Sequence, residues 1–133
     1  MSKLRHIRPE GMANAPSYTH VVGASGAETL YISGQVAIDA DGNTVGSGDL
    51  AAQTRQVMEN LQTALRAAGA TFADVVKITT FVVDYEPAQR AAIAAVRANY
   101  LPQENPPAST LVGVQSLAAD DWLIEIEAIA VLG

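Results

Sequence analysis

The sequence predicts an α+β fold in which one mixed sheet carries two helices on one face, with the element order β-β-α-β-α-β-β. Segments rich in β-branched residues alternate with two segments of helical periodicity. The length of 133 residues corresponds to a single domain spanning residues 1–133. Hydrophobic residues make up 49% of the chain and charged residues 17%, which supports a buried core and excludes intrinsic disorder.

The first two strands are predicted at residues 18–22 and 28–38, after an irregular lead-in over residues 9–18. Gly34 interrupts the second strand, where a glycine is typical of a bulge or of a close backbone approach. The Asp-Gly pair within residues 39–43 predicts the turn that follows.

The first helix is predicted to begin at Asp49, whose carboxylate can cap free N–H groups, and to end at Gly69. Its larger apolar residues share one face: Leu50, Val57, Met58, Leu61 and Leu65. Its other face is expected to meet solvent, with Gln53, Gln56, Asn60, Gln62 and Arg66. A second helix is predicted from Pro87 to about Tyr100.

The strongest strand is predicted at residues 75–84, followed after the second helix by strands at 109–116 and 122–132. The two β-α-β units predict parallel neighbours. The short connection at 118–121 predicts that the last two strands form an antiparallel pair.

The 75–84 strand is apolar on both sides, because Phe81 and Val83 point away from the face that the helices cover. Two helices on one face leave the other face open, so we expect a homo-oligomer whose sheet faces pack together. The alternative is an open amphipathic face that tolerates water, which Lys77 and Thr79 on that side support.

Composition excludes several function classes. With 14 acidic and 8 basic residues the net charge is −6, which disfavours nucleic acid as a partner. The absence of cysteine excludes disulfides, Cys-ligated zinc, iron–sulfur clusters and thiol nucleophiles. His6 and His20 have no recognisable partner, so no metal site and no cofactor are predicted. No secretory signal or membrane-length apolar run is visible, so we expect a cytoplasmic protein without membrane partners.

Two carboxylates on the last predicted strand are the first candidates for chemistry. In LIEIEAIA, Glu125 and Glu127 share a face with Ile129. A carboxylate half-buried among apolar groups can serve as a general acid or base near neutral pH. The alternative is a solvated or salt-bridged pair of acids near a sheet edge.

Two further segments carry hydroxyl groups beside unusual backbone. NPPASTLVGV, residues 105–114, places Ser109 and Thr110 after two prolines. YISGQV, residues 31–36, places Ser33 next to Gly34, where a hydroxyl and backbone N–H groups could meet a ligand. The alternative is a set of ordinary polar residues in rigid strands.

These segments together resemble the Rid family of reactive imine and enamine deaminases, also called the YjgF family. The resemblance is carried by YISGQV, VKITTFVVD, NPPASTLVGV and LIEIEAIAV, and it spans about residues 15–132. It implies a chorismate-mutase-like fold and a homotrimer with a central barrel and ligand clefts between subunits. It also implies hydrolysis of 2-imino or 2-enamino acids to 2-keto acids and ammonia, without a cofactor.

The resemblance assigns roles to individual residues. Glu125 corresponds to the glutamate that orients the attacking water, and Tyr18, Ser33 and Leu111 correspond to ligand-contacting positions. Ser109 and Thr110 complete the predicted substrate-binding set.

One position departs from the archetypal branch, which has Pro-Ala-Arg-Ser where this chain has Pro-Ala-Ser-Thr at 107–110. The family's arginine holds the substrate carboxylate by a forked, charge-assisted hydrogen bond. Because Ser109 stands in its place, the chain resembles the arginine-lacking branch, and simple 2-imino acids are disfavoured as substrates.

Two functions remain open from the sequence. The first is an imine or enamine deaminase-type hydrolase acting on a small reactive nitrogen metabolite. The second is a binding or regulatory module that holds a small metabolite in the same cleft without turnover. Ribonuclease activity is disfavoured by the charge of −6, and a chaperone-like role is left open.

Overall fold

In the computed structural model, which describes residues 3–13 and 16–133, six strands and two α-helices follow one another along the chain. They are β1 (Lys3–Ile7), β2 (Val21–Ser25), β3 (Glu28–Gln35), α1 (Leu50–Ala67), β4 (Val75–Val83), α2 (Arg90–Arg97), β5 (Ala108–Val114) and β6 (Ile124–Leu132). Single turns of 3₁₀ helix precede β4 and α2. No helix among these residues is long and apolar enough to span a bilayer.

Four strands form a mixed sheet in the order β3-β6-β4-β5. Strand β6 is antiparallel to both β3 and β4, whereas β4 and β5 are parallel and are joined through α2. The α+β class, with two helices on one face of a mixed sheet, is therefore confirmed.

The predicted antiparallel pairing of the last two strands is wrong, because β4 lies between β5 and β6. The prediction used only the length of the connection. Residues 115–123 at up to about 3.3 Å each easily span the roughly 10 Å across one intervening strand. Strand β6 is instead central, and its face formed by Ile124, Ile126, Ala128 and Ala130 is almost fully buried.

The N-terminal strand β1 was not predicted: no element was expected before the irregular lead-in over residues 9–18. Strand β1 forms a separate two-stranded antiparallel ladder with β2, in which His6 pairs with Val22. Strand β2 itself begins three residues later than predicted, at Val21.

The core lies between the sheet and the two helices. Ile78 and Val82 of β4 and the apolar face of β6 pack against buried α1 side chains, with Val57, Met58, Leu61 and Leu65. The predicted start of α1 is confirmed, because the Asp49 side chain accepts a 3.0 Å hydrogen bond from the backbone N–H of Ala52. Gly69, with φ of 79°, follows the last turn as predicted.

The polar face of α1 is not the solvent-exposed face that was predicted. Gln53 is fully buried, donates to the carbonyls of Gly46 (3.2 Å) and Asp121 (2.8 Å), and accepts from the Leu123 N–H (2.8 Å). Asn60 donates to two backbone carbonyls of the segment that follows β3. The loops before α1 and β6 fold over this face, so its amides serve as their hydrogen-bond partners.

The face of the sheet opposite the helices is open in the single chain, as the strand pattern predicted. We call this side the open face. Tyr31 is 79% exposed and Val112 41% exposed, and both lie on it together with Phe81 of β4. Lys77 bridges two strands there, and its Nζ donates to the Thr110 hydroxyl at 2.9 Å. The expected oligomer that would cover this face stays a prediction.

Candidate functional site

A cavity of about 180 Å³ lies between α2, strand β5 and the segment before β2. We call it the α2–β5 pocket. Three of the predicted ligand-binding residues line it: Tyr18, Ser109 and Leu111. The register of β5 explains this, because Ser109 and Leu111 lie beside Ile78 and Thr80 of β4 and therefore face the helices.

The entrance of β5 holds Tyr18 in place. The next residue, Thr19, is fully buried, and its hydroxyl donates to the Pro106 carbonyl at 2.5 Å while its N–H donates to the Pro107 carbonyl at 3.2 Å. Proline has no N–H but keeps its carbonyl as an acceptor, so this proline pair is a fixed anchor for the incoming chain. Tyr18 is thereby placed at the rim of the pocket.

The pocket also contains Arg97, at the end of α2, which sequence reasoning missed. Its Nη2 donates to the Ser109 hydroxyl at 3.2 Å, and its Nε is buried without a hydrogen-bond partner among residues 3–13 and 16–133. Burial lowers the pKa of the Arg97 guanidinium from its ordinary value. The one signal in the sequence is the spacing of Arg90 and Arg97, because residues seven apart share a helix face, and both line the pocket.

The charge of this pocket is opposite to that of the chain. Its described lining contains two arginines and no Asp or Glu, although the protein carries a net charge of −6. Apolar side chains form much of the remaining wall, with Ile93, Leu101 and Leu111 among them. A positively charged, partly apolar pocket of this size suits a small anionic molecule.

The predicted catalytic residue, Glu125, lies outside this pocket on the open face. It is half-buried and stands opposite Phe81 of β4. Its carboxylate lies against Gly34, and a Cβ added to Gly34 would come within 2.8 Å of the Glu125 Cδ atom. The ladder of β3 and β6 is irregular between Ile32 and Gln35, so the predicted bulge at Gly34 is confirmed, and Ser33 is the residue before it in the bulge.

Thr110 also lies on the open face, where it accepts the hydrogen bond from Lys77. Within one chain the six predicted residues therefore do not form a single site. Tyr18, Ser109 and Leu111 line the α2–β5 pocket, Thr110 and Glu125 lie on the open face, and Ser33 lies in the irregular part of edge strand β3.

Among the described parts of the chain, no group of three His, Asp or Glu residues is arranged to hold a metal ion. His20 is instead used locally, with its ring nitrogen Nε2 at 2.8 Å from the Ala13 carbonyl and its ring edge against Tyr18.

The sheet order, the two helices on one face and the pocket beside β5 define a small α+β protein with a metabolite-sized site. The chain belongs to the Rid (YjgF) family: the family model described as Endoribonuclease L-PSP matches residues 10–132. The fold is the chorismate-mutase-like fold of its structural neighbours.

Three relatives illustrate the similarity. The crystal structure of YyfB from Yersinia pestis, a Rid-family protein of unknown function, superposes with a TM-score of 0.90 at 48% identity and covers 97% of this chain and 98% of that one. A RutC family protein of Pyrococcus horikoshii is 43% identical over 101 residues, or 76% of this chain and 77% of its own. A RutC family protein of Synechocystis is 35% identical over 125 residues, which is 90% of this chain and 92% of its own.

Proposed function

We propose that this protein is a cofactor-independent hydrolase that cleaves the C=N bond of a small reactive imine or enamine and releases ammonia. The observation that carries the proposal is the Glu125 carboxylate, held half-buried against the backbone of Gly34. Membership of the Rid family supports it, since that family includes imine deaminases. The acid thus lies against a strand irregularity, where backbone groups can orient a ligand.

The proposed reaction needs one water molecule and one proton carrier. Glu125 accepts a proton from the water while the water oxygen bonds to the carbon of the protonated imine. Glu125 then returns the proton to nitrogen. As the C–N bond breaks, Glu125 takes up the hydroxyl proton, so that a carbonyl compound and ammonia leave and the remaining proton passes to solvent. A positioned carboxylate acting in this way contributes about 10²–10⁴-fold to the rate.

We propose that the active site is shared between identical chains in a homotrimer. In one chain Glu125 and the α2–β5 pocket lie on opposite faces of the sheet, so the two groups can meet only across a contact between protomers. The exposed Tyr31 and Val112 support such a contact, because apolar groups on an otherwise ordered sheet are stabilised by burial. Each cleft would then combine a pocket from one chain with a carboxylate from its neighbour.

Measuring ammonia release from a panel of imines generated in situ tests the proposed function. We expect Glu125→Gln to lower kcat by at least about 10²-fold. Glu127→Gln is the matched control, because Glu127 is exposed, lies two residues along the same strand and faces the same side. Equal rates for Glu125→Gln and wild type would contradict the proposal.

The second candidate is a metabolite-binding module without turnover. One observation favours it: the α2–β5 pocket of a single chain is formed without Glu125, so a ligand could bind there unaltered. Incubating the wild-type protein with a bound imine and analysing the products distinguishes the two. Tight binding with no accelerated hydrolysis supports the module.

We do not propose RNA cleavage, although the name of the family model refers to an endoribonuclease. Binding an RNA backbone draws on clustered Lys and Arg, and this chain carries 8 such residues against 14 acids. The cavity of about 180 Å³ is also below the roughly 300–1,000 Å³ of pockets for larger ligands.

A further inference from the structure

The largely buried guanidinium of Arg97 is a cation without an acidic partner among residues 3–13 and 16–133. Its side chain makes one hydrogen bond with the described part of the chain, to the neutral hydroxyl of Ser109 at 3.2 Å. Its Nε is buried and has no hydrogen-bond partner in that same part of the chain. An arginine carries five N–H donors and stays protonated in proteins, so most of its hydrogen-bonding capacity is unused here.

Leaving a charge in this state is costly, because buried charges are normally paired or hydrogen-bonded. An arginine that only stabilises the last turn of a helix need not be buried. Arg66 has this position in α1, equivalent to that of Arg97 in α2, and its side chain is exposed. The cost at Arg97 is offset if an anion completes its hydrogen bonds in the pocket.

We propose that Arg97 is the anion anchor of the α2–β5 pocket and that the ligand is a small organic acid whose carboxylate accepts hydrogen bonds from its guanidinium. The planar guanidinium matches the two oxygens of a carboxylate. Ile93, Leu101 and Leu111 provide an apolar wall for the carbon chain of such a molecule. Arg90, on the same face of α2, adds a second positive charge to the lining.

This inference deepens the proposed function, since it names the chemical class of that site's substrate. The sequence indicated a ligand without a carboxylate because Ser109 replaces the family's arginine. In the folded chain a guanidinium nevertheless reaches Ser109, but it comes from the helix instead of the strand. The guanidinium that binds the anion is therefore provided by α2 and not by β5.

Titrating the full-length protein with 2-oxobutanoate and with its neutral amide tests the proposal, because the two probes differ mainly in charge. We expect the acid to bind at least about tenfold more tightly, since a hydrogen bond to a charged group is worth that factor or more. In ¹⁵N-labelled protein the Arg97 Nε–H resonance should shift with the acid and not with the amide. Inorganic phosphate, which lacks an apolar part, should bind more weakly than the acid.

Arg97→Gln should remove the preference for the acid over the amide, whereas the control Arg66→Gln should keep it. Arg97→Lys retains the positive charge but lacks the planar pair of N–H donors, so we expect an intermediate preference. If Arg97→Gln does not fold, Arg97→Lys is compared with the wild type instead. An unchanged preference in Arg97→Gln, equal binding of acid and amide, or a silent Arg97 resonance would each overturn the proposal.

The outcome is separable from that of the proposed hydrolysis. Binding of an unreactive acid does not use Glu125, so loss of acid binding in Arg97→Gln combined with full turnover in Glu125→Gln would sustain the anchor and refute the hydrolase. Loss of turnover in Glu125→Gln with unchanged acid binding in Arg97→Gln would support the hydrolase and refute the anchor.

Discussion

The carboxylate of Glu125 lies against Gly34 so closely that no side chain fits between them. A Cβ on Gly34 would come within 2.8 Å of the Glu125 Cδ and 2.9 Å of its Cγ, and it would overlap a carboxylate oxygen. The two residues are on adjacent strands, β3 and β6, where the ladder between them is irregular. Glycine at this position therefore allows the acid to lie over the backbone.

Gly34→Ala should displace the Glu125 side chain and leave the fold intact. The overlapping atoms belong to a flexible side chain, so we expect a loss of about 1–3 kcal/mol in the free energy of unfolding. Imine hydrolysis should fall about as far as in Glu125→Gln. Urea unfolding and the ammonia assay measure the two effects.

A double-mutant cycle provides the control. With Glu125→Ala as background, adding Gly34→Ala should cost less than it does in the wild type, because the colliding carboxylate is absent. Equal costs in both backgrounds would show that the two residues do not interact.

A charge at Val112 should prevent the protein from assembling. Val112 is 41% exposed on the open face, and Val112→Lys would place an ammonium group where the proposed homotrimer buries it. Sedimentation equilibrium should then give a monomer. Val21, which is 47% exposed on β2, is the matched control, and Val21→Lys should leave the trimer intact. A wild-type protein that sediments as a monomer would contradict the proposed shared site.

Replacing Thr80 by valine should stabilise the protein. Thr80 is fully buried, and its hydroxyl has no hydrogen-bond partner in the described part of the chain. Valine has nearly the same shape and removes this unpaired group, so we expect a gain of about 1–2 kcal/mol.

The control for Thr80 is Thr54, a fully buried threonine of α1 whose hydroxyl is hydrogen-bonded. The Thr54 hydroxyl donates to the Leu50 carbonyl at 2.7 Å, so Thr54→Val should be neutral or should destabilise by up to about 1 kcal/mol. Thermal unfolding of the two variants checks the difference. A Thr80→Val variant less stable than Thr54→Val would contradict the prediction.

His6 should make the stability depend on pH in the mildly acidic range. Burial, and secondarily the charge of Arg8, lower the pKa of His6 from its ordinary value of 6.5. Because the unfolded state then binds the proton more readily, the free energy of unfolding should decrease as the pH falls below about 6.5 and level off below the folded pKa. Chemical denaturation between pH 7 and about pH 5 measures this slope, and His6→Gln should reduce it. An identical slope in His6→Gln would assign the dependence to other groups.

Local patterns determined the parts of this protein whose interactions lie within a few residues. The cap of Asp49 on Ala52, the turn over residues 39–43 and the buried face of β6 all follow from short-range geometry and from the alternation of side chains along a strand. The resemblance of four segments to the Rid family added the correct family and fold.

Only the tertiary structure decided which elements lie next to each other. Periodicity indicates which face of a strand is buried, but it does not give the strand's neighbours, so the central place of β6 was missed. The same limit applied to Gln53, whose amide binds the loop before α1 and the loop before β6. The bond from Arg97 to Ser109 joins a helix to a strand, and the register of β5 had to be known before it could be found. The order of residue types along the chain does not give the distances between segments in space, and the chemistry of this pocket depends on those distances.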